Sequence, residues 1–310
     1  MPRVCLVPDG TEAHVCNVIV GALISYPQAI VLGLLQGFSE LFPISSLGHS
    51  VILPKLLGWN IHQNDPYFLT FLVATHLATA IVLLGFFWDD WVRILTGMWR
   101  SLKEREIGAN NPDAKLGWLI VVGTIPAGIL GLLLQDSLQS VFASARSAAF
   151  FLILNGLMLF GAEMLRRRAP ELPDAEQDGD QRIAHTAGWR HAVGVGASQA
   201  IALIPGFSRS GASMGGGLLV GFSNEDAARF AFLLATPIIG AAALLKIPEL
   251  LGPDGDGVRG QALVASLCSA ATAYVSIRFL MRYFETNRLT PFAVFCFIEG
   301  IVLTVWFTVS

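Results

Sequence analysis

The chain has 310 residues, of which 54% are hydrophobic and 14% charged, and a formal net charge of −3. A soluble domain carries about 25% charged residues, so this deficit, with a positive mean hydropathy, excludes an ordinary soluble globule and points to an integral membrane protein. The slightly acidic balance offers no basic footprint, so no nucleic-acid partner is expected.

Residues 1–14 are mixed polar and apolar and do not read as a signal peptide. The cysteines (Cys5, Cys16, Cys268 and Cys296) are scattered, without C-x-x-C or metal-type spacing. The first apolar arm, Val15–Phe42, breaks at a joint rich in Pro, Ser and Gly and is followed by a short arm, Leu47–Gly58. Twelve residues rise only about 18 Å as a helix, short of the ~30 Å hydrocarbon core. Three stretches then have the length of full spans: Phe68–Phe87, Gly117–Leu134 and Ser147–Leu165. A polar, acidic segment, Ala169–Ala187, reads as a flexible connector. The pattern then recurs. A longer arm, His191–Ile204, and a short glycine-rich arm, Ser213–Phe222, precede three more spans, Ala227–Leu245, Gln261–Met281 and Pro291–Val309.

The expected fold is therefore an all-α polytopic membrane protein with six full transmembrane helices and two re-entrant helical hairpins, at 15–59 and 191–222. Shifted by 163 residues, Gln36, Ser45, Gly48, Ser50, Leu56 and Gly58 fall on Gln199, Ser208, Gly211, Ser213, Leu219 and Gly221. Residues 1–168 and 188–310 thus form two repeats joined by the linker 169–187. Three spans per half force the second half upside down, the inverted-topology repeat found in many transporters. The positive-inside rule places 88–116, 166–190, 222–229 and 282–288 in the cytoplasm. Those segments and their helix ends carry fourteen Lys and Arg, whereas the opposite side carries Arg3, Arg146, Lys246 and Arg259. Both termini and the mouth of the first hairpin then lie outside.

The two joints hold ionisable groups where a membrane protein normally puts leucine. Groups at that depth are expensive and mark function. In the first, Gln36 and Glu40 are four apart and share a helix face. Pro43 ends that helix, and Ser45, Ser46, Gly48 and His49 form the turn and the next helix start, whose amides suit an oxyanion. Plain N-capping is the simpler account of Ser45 and Ser46, but it leaves the carboxylate and imidazole unexplained. In the second joint, Arg209 lies among Ser208, Ser210 and Ser213 beside flexible glycines. Guanidinium, hydroxyls and turn amides make a phosphate cradle; the simpler account is an Arg that neutralises Glu40. His76 reads as a packing histidine, Glu163 as an interfacial ion pair with Arg166–Arg168, and Lys55 as a side chain reaching the outer interface. The Gly123–Gly128 stretch reads as a kinked span, and Glu299 has no evident role.

These motifs resemble those of the undecaprenyl-diphosphate phosphatase family, the bacitracin-resistance membrane phosphatases. The pattern (E/Q)-x-x-x-E followed by P-x-S-S-x-G-H matches Gln36, Glu40, Pro43, Ser45, Ser46, Gly48 and His49. The pattern P-G-x-S-R-S-x-x-T matches Pro205, Gly206, Ser208, Arg209 and Ser210, with Ser213 in place of Thr. The likeness runs through the Gly123–Gly128 and Ala227–Pro237 stretches and covers nearly the whole chain. Leu47 departs from a small hydroxyl residue, and Phe295-Cys296 stands where many members carry Tyr-Arg. The resemblance implies hydrolysis of undecaprenyl diphosphate to the monophosphate on the outer face of the bacterial plasma membrane. That reaction recycles the lipid carrier for peptidoglycan and other wall polymers and confers bacitracin resistance. The resemblance also implies a divalent cation, Mg2+ or Ca2+. On this reading Ser46 is a nucleophile or orients water, and His49 is a general acid/base or itself the nucleophile. Glu40 activates the nucleophile or holds the metal with Gln36, and Ser45, Ser208, Arg209, Ser210 and Ser213 bind phosphate. The partners are the polyprenyl diphosphate and membrane lipids, and a homodimer is left open. The rival reading is a transporter or flippase of a polyprenyl phosphate lipid, because broken helices in an inverted repeat are that architecture's sign.

Overall fold

The computed structural model describes residues 24–61, 66–107, 111–142, 144–167, 178–252 and 257–309. The start of the first arm (15–23), Cys5 and Cys16, and the first half of the linker (169–177) lie outside the described residues. Every regular element described is helical. The first joint lies between α1 (Tyr26–Ser39) and α2 (Ser46–Leu56). α3 (Pro66–Phe86), α4 (Trp88–Glu104), α5 (Pro112–Phe142) and α6 (Ala145–Arg166) follow. After α7 (Gly179–Thr186), α8 (Trp189–Ser198) runs into a 3-10 turn (Gln199–Leu203), and the second joint leads to α9 (Arg209–Val220). α10 (Asn224–Leu251), α11 (Arg259–Phe284) and α12 (Thr290–Val309) complete the chain.

Helix starts follow local chemistry. Ser25 and Ser144 form capping boxes with Gln28 and Ser147 at α1 and α6, and the Ser223 hydroxyl accepts from the Asp226 amide at α10. Each satisfies amides that have no partner within the first helical turn. Among the described residues five helices are long and apolar enough to cross a membrane: Pro112–Leu134, Ala145–Arg166, Asn224–Lys246, Arg259–Phe284 and Thr290–Val309. α3 makes a sixth only when taken with α4, from which it is bent by 78°. α1, at 14 residues, rises only about 21 Å, and α2, α8 and α9 are shorter still.

Two segments differ from expectation. The segment 88–116, read from sequence only as a cytoplasmic connection, contains α4. This helix buries Ile94, Gly97 and Ser101 and leaves Trp88, Val92, Leu95, Trp99 and Leu102 exposed in one stripe. Its steps of four, three, four and three are helical periodicity. The second half of the expected flexible linker is α7, and it is docked. Its buried Asp180 accepts from Arg93 on α4 (2.9 Å) and Arg229 on α10 (2.6 Å), and Arg182 reaches Asp226 (2.8 Å). The hydrogen bonds to Asp226 lift the Arg182 guanidinium above its ordinary value, against partial burial.

Candidate active site

The first joint is a tight return. α1 ends at Ser39, four residues before Pro43, and Glu40 caps it. Residues 40–44 turn, and Ser45 adopts φ +71°, uncommon for a residue with a side chain. Its hydroxyl accepts from the Gly48 amide (3.1 Å) and so starts α2. This return brings Ser46 back onto the carboxylate it follows: Ser46 Oγ donates to Glu40 Oε2 at 2.5 Å. Gln36, one turn earlier on the face expected, donates through Nε2 to the same oxygen at 3.0 Å.

The second joint meets the first. Gly206 has φ +108°, and a Cβ there would stand 2.4 Å from the Ala148 carbonyl oxygen and 2.6 Å from Phe151 Cβ, so only glycine fits. Its amide donates to Ser45 Oγ (3.2 Å), and Ser210 Oγ donates to the Phe42 carbonyl (3.2 Å). Asn155 of α6 clamps both joints. Its Nδ2 donates to the Pro43 carbonyl and its Oδ1 accepts from the Ser208 amide, each at 3.0 Å. Arg209 completes the meeting: Nη2 donates to Glu40 Oε1 at 2.6 Å.

The structure therefore brings Gln36, Glu40, Ser45, Ser46, His49, Ser208, Arg209 and Ser210 together. It gives several hydroxyls another present duty. Ser45 ties the joints and caps α2. Ser208 caps α9, accepting from the Gly211 amide (3.1 Å), and lies 3.0 Å from Ser210 Oγ. Ser213 donates back to the Arg209 carbonyl within its own helix (2.9 Å).

Two residues read otherwise from sequence belong to the site. His76, taken as a packing histidine, sets Nε2 3.3 Å from Glu40 Oε2 while Nδ1 lies 2.7 Å from the Leu72 carbonyl. Glu299, for which the sequence suggested nothing, lies 3.1 and 3.2 Å from His49 Nε2 through its two oxygens, and His49 Nδ1 lies 2.7 Å from the Ser45 carbonyl. Asn155 was missed altogether. The signal available for all three was a lone polar residue in an apolar run. Glu163 is structural: it accepts from the Leu289 amide (3.1 Å) and pairs with Arg167 and Arg288.

Glu40 thus meets four donor side chains: Gln36, Ser46, His76 and Arg209. An ionised carboxylate offers about four lone-pair positions; here three donors converge on Oε2 and Arg209 alone takes Oε1. Around it, Arg209 Nη1 is a buried donor and Gln36 Oε1 a buried acceptor, neither with a partner among the described residues. Orphans of this kind are costly unless a ligand completes them. A donor facing an anion and an oxygen facing a cation, beside an activated hydroxyl, are what phosphoryl transfer requires.

The family model described as bacitracin resistance protein BacA matches residues 29–302. A protein of Mycolicibacterium paratuberculosis named undecaprenyl-diphosphatase is 49% identical, over 92% of this chain and 98% of its own. Undecaprenyl-diphosphatase 2 of Frankia alni is 41% identical, over 93% and 99%. Undecaprenyl-diphosphatase 2 of Chromobacterium violaceum is 44% identical, over 89% and 96%. The match spans both joints and the helices that carry His76, Asn155 and Glu299, and the chain belongs to the bacitracin resistance protein BacA family.

Proposed function

We propose that the chain hydrolyses undecaprenyl diphosphate to undecaprenyl phosphate and inorganic phosphate, recycling the carrier lipid for wall synthesis and conferring bacitracin resistance. The names of its relatives support this activity. The observation that carries it is Glu40, which holds Ser46 at 2.5 Å from one hairpin and Arg209 at 2.6 Å from the other.

In the proposed chemistry Ser46 Oγ attacks the terminal phosphorus and its proton passes to Glu40 Oε2. The bond from that phosphorus to the bridging oxygen breaks, and its electron pair leaves on undecaprenyl phosphate. Water then attacks the phosphoserine, with His49 as the acid/base, and Ser46 Oγ recovers its proton from Glu40 as inorganic phosphate departs. Arg209 binds the phosphate through Nη1 and stabilises the charge on its oxygens in the transition state. Ser46 is favoured over His49 as nucleophile because both imidazole nitrogens already face acceptors.

Among the described residues no cluster of three His, Cys, Asp or Glu side chains could hold a metal ion unaided. The donors suit a Mg2+ or Ca2+ that shares the diphosphate, since such ions combine a carboxylate or two with substrate oxygens. Gln36 Oε1 and Glu40 would hold it, Glu40 exchanging its Gln36 contact for the ion. When bound, the ion neutralises phosphate charge.

The membrane arrangement in this proposal is six spans and two re-entrant hairpins in inverted repeats, 1–168 and 188–310. Three features support it. Ser45 and Ser208, 163 apart, each cap a short helix by accepting from the glycine amide three residues on. Gly58 and Gly221, also 163 apart, both have positive φ beyond the ends of those helices. α1 packs on α11 as α8 packs on α5, each first arm against the other half. The site then opens to the outer side of a bacterial plasma membrane.

Purified protein in detergent, with undecaprenyl diphosphate and Mg2+, should release phosphate without a gradient or second compartment. Silence in that assay, alongside lipid movement in vesicles, would sink the enzyme reading and leave the flippase. Cysteine labelling around Ser46 from outside, and at 109–111 and 175–177 from inside, tests the topology.

A further inference from the structure

His49 lies in a setting that decides its protonation. Its Nδ1 faces the Ser45 carbonyl at 2.7 Å, and a carbonyl only accepts, so Nδ1 carries a hydrogen. A neutral ring would then present a lone pair at Nε2. Nε2 instead faces both oxygens of Glu299, at 3.1 and 3.2 Å. A carboxylic acid donating to a ring nitrogen does so through one oxygen, at O–H distances; near-equal contacts to two oxygens are those of an N–H shared by a carboxylate. Glu299 reaches this place from α12, 250 residues away, and lies outside both motifs of the joints. A lone carboxylate on a strongly apolar helix is costly there and needs a cationic partner; His49 is the partner the structure supplies.

We infer that Glu299 is a positioning residue that holds His49 as an imidazolium, fixing it as the acid of the first step, from which it becomes the base of the second, and not as the nucleophile. This deepens the proposed phosphatase reading and rests on it. In the first step the Nε2–H bond breaks and the proton goes to the bridging oxygen as it leaves on undecaprenyl phosphate. Neutral His49 then takes a proton from the water that attacks phosphoserine, and Glu299 again faces an imidazolium. Glu299 stays anionic throughout and touches neither phosphate nor water in this scheme. It acts through the ring.

The test combines kinetics with nitrogen NMR of protein labelled with 15N-histidine, in detergent micelles at neutral pH. In wild type, His49 (assigned with His49→Ala) should show two protonated nitrogens. In Glu299→Gln, whose amide donates to the ring, Nε2 should move to the unprotonated position. Turnover in Glu299→Gln should fall about 100-fold, the lower end for loss of a general acid, with KM within about two-fold. Glu299→Asp should recover part of kcat, and His49→Ala/Glu299→Gln should be no slower than His49→Ala. Wild-type turnover in Glu299→Gln, or a neutral His49 in the wild-type spectrum, overturns the role of Glu299. The spectrum decides even where the variant does not fold. Wild-type turnover in His49→Ala overturns instead the proposed role of His49, whatever Glu299→Gln does.

Discussion

Replacing Arg209 by lysine keeps the charge and removes the fork. Arg209 has two duties that the structure separates. Nη2 holds Glu40 Oε1 at 2.6 Å, and Nη1 is buried without a partner among the described residues, where the proposed phosphate completes it. A lysine ammonium is a point donor on a flexible stem and cannot make both contacts in the plane of one group. The contact with Glu40 is already made before substrate binds, so the lysine keeps it and the phosphate contact is lost. Removing one preorganised donor of this kind costs roughly 2–4 kcal/mol of transition-state stabilisation. At about 1.36 kcal/mol per tenfold, kcat should fall roughly 30- to 900-fold. Folding should hold, because Glu40 keeps a cation beside it. Arg209→Ala is the contrast. It leaves Glu40 with His76 as its one remaining ion-pair partner among the described residues, and breaking a buried pair costs about 3–5 kcal/mol of stability. Phosphate release and thermal melting in detergent read the two effects apart. A lysine variant within about three-fold of wild-type kcat would refute the reasoning and reduce Arg209 to a counter-charge for Glu40.

Ser46→Ala should abolish turnover and the 32P-labelled enzyme trapped by acid quench from labelled substrate; label persisting on the protein, or measurable turnover, would move the nucleophile elsewhere. His76→Ala should lower kcat about ten-fold with little change in melting, since it takes one of the partners that orient Glu40; unchanged kcat would return His76 to a packing role. Gly206→Ala forces a side chain into φ +108° and against the Ala148 carbonyl. At about 1–3 kcal/mol of strain, and about 2–4 °C per kcal/mol, the melting temperature should drop by several degrees, and an unchanged melt would mean the joint relaxes freely. Asp180→Ala should destabilise the protein by about 1–3 kcal/mol, by removing the buried carboxylate that Arg93 and Arg229 share while both keep Asp90. It should leave kcat per folded molecule unchanged, and a selective loss of kcat would tie α7 to the site.

The sequence by itself determined the class of molecule and where the candidates for the proposed chemistry lie. Apolar runs of span length, interrupted twice by Pro, Ser and Gly, are a statement about solvent: charged groups in hydrocarbon are too costly to occur without use. Glu40, Ser46, His49 and Arg209 were legible for that reason. The 163-residue register was legible because Gln, Ser and Gly stand out against leucine. The stripe of α4 was present as periodicity and passed over among the charges around it. What only the tertiary structure decided was pairing. His76 lies 36 residues from Glu40, and Glu299 lies 250 from His49. Asn155 reaches joints 112 residues before it and 53 after. A polar side chain on an apolar helix declares that it needs a partner, but not which one, because helix periodicity fixes the face it occupies and not the helix packed there. The same limit held for the hydroxyls. Ser45 and Ser213 looked alike as phosphate ligands, and it was packing that set one to tying the two joints and the other to its own helix backbone.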